Sequence, residues 1–226
     1  MNKTSKILSV LSGMCLLISI LLGVVFFMCF QHGFYSYEYN KNHQAEVIGM
    51  SDEDLMNATD TLLDYLEDKR DNIVVEATVS GYEREVFNER ETLHMIDVKD
   101  LCIHAKTTGY ILFGVSIILG IIVYLKEKKK FFQYYEFGLK ISLFILLLFV
   151  SLLAIYAICD FYDFWMNFHY IFFDNDLFIL DPNTSIMINM FPESFFFDLV
   201  LVIMILYVVI VSCLYLFVRK MKKISL

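Results

Sequence analysis

The chain has 226 residues, 58% of them apolar or aromatic, 19% charged and only 2 proline, against about 45–50% apolar and about 25% charged in soluble domains. A mean hydropathy of +0.60 over 26.5 kDa excludes a disordered chain, a collagen-like chain and a soluble two-domain enzyme, and points to an α-helical integral membrane protein with one modest soluble portion. The net charge of −8 argues against nucleic acid as a partner, and the five cysteines lack the CxxC spacing of a zinc site or the pattern of a disulfide framework.

In chain order, a short tail (1–6) leads into an uncharged run over 7–30, about 36 Å long as a helix and sufficient to cross a bilayer with some tilt. The run is too long for a signal-peptide core, no small-x-small site follows it, and Met14 before Cys15 breaks a lipobox. Residues 31–106 form a polar segment. Within it, Ser51 with Asp54 three residues on opens an amphipathic helix carrying Leu55, Leu62 and Leu66. Residues 73–79 are β-branched and read as a strand, Gly81 as a turn and 83–86 as a return strand, giving this portion an α+β character. From Thr92 the apolar spacing becomes helical and runs into a second span, 107–125. A loop (126–140), a third span (141–159), an aromatic-rich loop (160–198), a fourth span (199–218) and a tail (219–226) complete the reading.

Four crossings put both termini on one side, and lysine and arginine decide which. Lys3 and Lys6, the cluster at Lys126, Lys128, Lys129 and Lys130, and the cluster at Arg219, Lys220, Lys222 and Lys223 mark the cytoplasmic face. The two remaining segments, 31–106 and 160–198, hold 24 of the 26 acidic residues and 7 of the 18 basic ones, which assigns them to the outer face of the cell membrane.

Polar clusters flanked by apolar runs are where chemistry is expected, because such groups are costly to desolvate. One is ETLHMIDVKDL at 91–101, whose helical spacing puts His94 and Asp97 on one face. An imidazole oriented by a carboxylate suits general base work, and a solvated helix face with an incidental histidine explains the same spacing. The other is 161–197, dense in aromatic rings around His169, Asn175, Asp176 and Asp181. An interfacial belt accounts for most of those rings. The acidic residues there lack the central glycine and bidentate glutamate of an EF-hand, so no metal is assigned. His94 lies 13 residues before the second span and His169 10 residues after the third. Reaching a lipid ester therefore requires the flanking segments to fold back toward the headgroups. His32, His43 and His104 read as surface residues. No G-x-S-x-G, HExxH, P-loop or GxGxxG pattern is present.

At these two clusters the chain resembles the bacterial lipoprotein intramolecular transacylases, an integral membrane family. The similarity rests on ETLHMIDVKDL, on FHYIFFDNDLFILDP and on MFPESFF, together with the four-span layout. Phe178 stands where the family often has tryptophan, and Ser185 where it often has an acidic residue. The resemblance implies transfer of the sn-2 acyl chain of a diacylglyceryl-modified lipoprotein, with a free N-terminal cysteine, to that cysteine's α-amino group, giving the lyso-form. It implies His94 and His169 as the catalytic pair, Asp97, Asn175, Asp176 and Asp181 as orienting or supporting residues, membrane lipid as a partner, and no cofactor. The rival reading is a non-catalytic membrane subunit whose acidic outer domain binds a partner.

Overall fold

The computed structural model describes residues 2–225. It is mostly helical, with one two-stranded sheet. Among the described residues, three helical stretches are long and apolar enough to cross a membrane: Lys3–Cys29, Glu89–Cys159 and Glu193–Ser225. The middle stretch contains two long helices, α5 (Glu89–Glu127) and α6 (Phe131–Cys159), joined by a single 3₁₀ turn at Lys128–Lys130. Three consecutive lysines end the apolar pattern there, and positive φ at Lys128 interrupts the helical path.

The chain divides into two compact units. The first comprises 1–26, 105–159 and 201–226, and is built from α1 (Lys3–Cys29), the later part of α5, α6 and most of α9 (Glu193–Ser225). Its interior combines Leu17, Leu139, Leu146, Tyr207 and Val211 with buried serines. Ser12 Oγ donates to the Ser116 carbonyl at 2.9 Å and Ser142 Oγ to the Val10 carbonyl at 2.9 Å. Gly138 permits this closeness, since a Cβ there would lie 2.3 Å from the Ser9 carbonyl oxygen. Small residues at helix contacts are the membrane solution, where packing and hydrogen bonds replace the hydrophobic drive. The outer surface of α6 is correspondingly apolar, with Phe144 68%, Leu147 64% and Leu152 60% exposed.

The second unit, 27–104 with 160–200, holds the polar segments. Its elements are α2 (His32–Asn42), α3 (Gln44–Ile48), α4 (Asp52–Leu66), β1 (Glu76–Val79), β2 (Tyr82–Glu85), the start of α5, α7 (Phe161–Phe172), α8 (Ile186–Met190) and the first turns of α9. Ser51 caps α4 by accepting from the Asp54 amide at 3.0 Å, and α4 buries Leu55, Leu62 and Leu63. The hairpin has a two-residue turn at Ser80 and Gly81, both at positive φ, which suits the twist of the strands. Its first strand is shorter than the sequence suggests: Val74 gives its amide to Asn72 Oδ1 and its carbonyl to Arg70, so pairing starts only after it, with the Val86 amide bonded to the Val75 carbonyl at 3.0 Å and Glu76 opposite Glu85.

The aromatic-rich segment is not an extended loop. Asp160 ends α6 and caps α7 by accepting from the Asp163 amide at 2.9 Å, so helix resumes after one residue. The aromatic rings pack on one another as well as facing outward: Trp165 stacks on Phe196 at 4.2 Å and on Phe168 at 5.2 Å. Tyr35, Tyr39, Phe191 and Phe195 form a second aromatic group, tied to α4 by the Tyr39–Thr59 hydroxyl bond at 2.8 Å.

Candidate active site

The N-terminus of α5 carries a reciprocal capping box. The Glu91 amide donates to Asn88 Oδ1 at 3.0 Å, and the Asn88 amide donates to Glu91 Oε2 at 2.6 Å. Glu91 is fully buried, and its other oxygen accepts from Ser185 Oγ at 2.5 Å and from the Met187 amide at 2.8 Å. One carboxylate thus caps α5 and also holds the start of α8. This joins the two polar clusters one helical turn ahead of His94, and Ser185, noted in the sequence as a departure, is one of its donors. Spacing alone did not mark Glu91 for this role, although N-x-x-E before an apolar helical pattern is a readable capping signal.

His94 on α5 and His169 on α7 come together with ring centroids 6.0 Å apart and planes at 36°. At that separation the two imidazoles are close neighbours in one site. His169 Nδ1 lies 2.8 Å from the Trp165 carbonyl. A carbonyl only accepts, so Nδ1 carries the proton and the Nε2 lone pair is left as the ring's basic atom. Phe178 stacks on the same imidazole at 4.8 Å and Trp165 meets it edge-on at 5.2 Å. Burial lowers the His169 pKa, partly opposed by the bond to the Trp165 carbonyl.

His94 is 7% exposed, packs edge-on with Phe173 at 5.3 Å, and its Nδ1 is buried without a hydrogen-bond partner in the protein. Burial pushes its pKa down to about 4; His169 and Arg90 push the same way and Asp97 opposes them. The imidazole is therefore neutral at physiological pH.

Asp97 occupies the expected face of α5 but does not hydrogen-bond His94. Its Oδ2 instead accepts from Asn175 Nδ2 at 2.9 Å. Asp176 binds Arg90 through its main-chain carbonyl and, at 3.5 Å, through Oδ1. Asp181 serves its own turn, accepting from the Asn183 amide and Asn183 Nδ2 at 2.9 Å each, and from the Ser185 amide through its carbonyl at 2.9 Å. Among the described residues no group of three or more His, Cys, Asp or Glu side chains converges as a metal site would. His32 pairs with Asp60 at 2.6 Å, and His43 and His104 are exposed.

A family model described as lipoprotein intramolecular transacylase, Lit, matches residues 10–196. No curated protein matches the chain significantly. Among solved structures, the membrane integral lipoprotein intramolecular transacylase Lit from Bacillus cereus is similar over 99% of this chain and 100% of its own, with a TM-score of 0.77 and 19% identity. Structures of that protein with one histidine replaced by arginine or by alanine give TM-scores of 0.74 and 0.73. At such identity the likeness establishes the fold.

Proposed function

Because the chain belongs to the lipoprotein intramolecular transacylase family, and is thus a membrane acyltransferase, we propose that it moves the sn-2 acyl chain of a diacylglyceryl-cysteine lipoprotein to the α-amino group of the same cysteine. The observation that carries this reading is the convergence of His94 and His169, from two separate segments, into one enclosed aromatic site.

In the reaction the neutral α-amine attacks the sn-2 ester carbonyl. His169 Nε2 takes the proton that the amine sheds, the ester C–O bond breaks, and that proton passes to the departing glycerol oxygen. His94, held neutral by burial, presents its ring to the polarised ester from the other side. With an α-amino pKa of about 7.7–8.0, the attacking amine needs little help to be free, and tethering donor and acceptor in one molecule supplies much of the acceleration. Transfer is direct. Cys102, the cysteine of the outer segment, has its thiol pushed up to about 11 by burial and is a poor thiolate source. Asp97, Asn175 and Asp176 support the site by holding the segment that covers it, and Asp181 by shaping the turn that leads to Ser185.

The same proposal includes four crossings, at 7–30, 107–125, 141–159 and 199–218, with both termini cytoplasmic and the histidines at the outer leaflet beside membrane lipid. The basic clusters at the chain ends and at Lys128–Lys130 support that orientation. Intramolecular transfer is an isomerisation and leaves intact mass unchanged. The deciding measurement is tandem fragmentation of a synthetic diacylglyceryl lipopeptide incubated with the purified protein. N-acyl, mono-acylglyceryl cysteine is the expected product, and its absence with active-quality protein would remove the assignment.

A further inference from the structure

Arg90, His94 and Asp97 stand at i, i+4 and i+7 on α5, so they share one face of the helix. The segment that follows α7 crosses this face. Phe173 covers His94 and Phe178 covers His169, with both rings nearly buried at 8% and 7% exposure. Between them, two polar ties fasten the segment to α5 on either side of His94: Arg90 to the Asp176 carbonyl and carboxylate, and Asp97 to Asn175 Nδ2. Asn175 also braces the segment internally, accepting from the Leu177 amide through Oδ1 at 3.0 Å.

We propose that Arg90 is a positioning residue for the acyl transfer, its guanidinium tethering residues 173–178 over the histidine pair. This rests on the reading of His94 and His169 as the catalytic pair. One terminal nitrogen of the guanidinium engages both the carbonyl and the carboxylate of Asp176, and lysine, a shorter side chain ending in a more strongly hydrated ammonium, replaces the charge but holds the pair less firmly. The charged and titratable groups facing His94 are His169 from α7 and Asp97 and Arg90 from α5. Two of the three disfavour its protonated form, so removing Arg90 shifts the balance toward Asp97. The tether is also accessible to exchange, since Arg90 is 43% exposed and Asp176 78%. It holds the cover in place without locking it against a lipid substrate.

The test compares the parent protein with Arg90→Gln, Arg90→Lys and, as a control, Arg84→Gln, whose guanidinium binds only the neighbouring Glu85 carbonyl among the contacts described. Two quantities are read in detergent micelles: amide hydrogen exchange over 173–178, and the titration midpoint of the His94 imidazole followed by NMR of histidine-labelled protein. Arg90→Gln should speed exchange several-fold in that segment alone and move the His94 midpoint to higher pH by roughly half a unit, as expected for loss of a partly exposed charge about one helical turn away. Arg90→Lys should restore the midpoint but only part of the protection, and it decides the matter if Arg90→Gln fails to fold. Exchange at the parental rate, or an unmoved His94 midpoint, overturns the proposal. A parent that makes no N-acyl product instead defeats the functional reading, while the exchange comparison still decides whether Arg90 is the tether.

Discussion

Lowering the pH should destabilise this protein through His94, and replacing that one residue should remove most of the effect. The unfolded chain takes up a proton at His94 near pH 6.5, whereas burial beside His169 holds the folded group down to about pH 4. A base whose folded pKa is depressed leaves stability intact above the unfolded value and costs it as pH falls, because only the unfolded state binds the proton in that window. Between those pKa values the loss amounts to about 3 kcal/mol, and about 2 kcal/mol of it has occurred by pH 5. At about 2–4 °C per kcal/mol for a chain of this size, Tm should fall by about 4–8 °C between pH 7 and pH 5 from this residue alone. The assay is thermal denaturation in detergent at fixed scan rate for the parent and His94→Gln, which cannot titrate. Other groups contribute to both proteins and cancel in the comparison, apart from the part of the His169 shift that depends on His94. If His94→Gln loses as many degrees as the parent over this range, desolvation of the imidazole is not a source of the pH dependence and the enclosed site described above is wrong.

His94→Ala and His169→Ala should each lower turnover by at least about a hundredfold, the low end for loss of a group that stabilises the polarised ester and of an acid–base group respectively, measured by fragmentation of the lipopeptide product; near-parental turnover by either removes that residue from the mechanism. Glu91→Ala leaves Ser185 Oγ and the Asn88 and Met187 amides without their acceptor, so stability should drop by about 3 kcal/mol or more, well beyond the loss of an ordinary cap. Denaturation midpoints of Glu91→Ala and Ser185→Ala check this, with the serine variant expected to lose much less. In a cysteine-free background, single cysteines at Asn40 and Lys128 should react with an impermeant maleimide on intact cells only at the former; equal labelling contradicts the orientation.

Much of the helical frame was legible because its signals are local. The apolar runs lie within three helical stretches long and apolar enough to cross a membrane, Ser51 caps α4 through Asp54, and the chain turns at Gly81, each a signal carried by residues close in sequence. That helix resumes as α7 directly after the one-residue cap at Asp160 was harder to see, because the segment from 160 reads as an aromatic-rich loop. The identity of the two histidine-bearing segments was also readable, from motif resemblance rather than from periodicity. Tertiary structure alone decided their relationships. Helical spacing places Asp97 beside His94, yet the carboxylate is taken by Asn175, 78 positions along the chain, because an amide donor held there by its own loop competes for the same oxygen. Glu91 looks like one more acid at a polar helix start, and only the approach of Ser185 and Met187 makes it a buried acceptor shared by two segments. The protonation preference of His94 likewise cannot be written in its neighbours along the sequence: it comes from Phe173 and His169, which exclude water and oppose a second charge only once α7 has folded against α5.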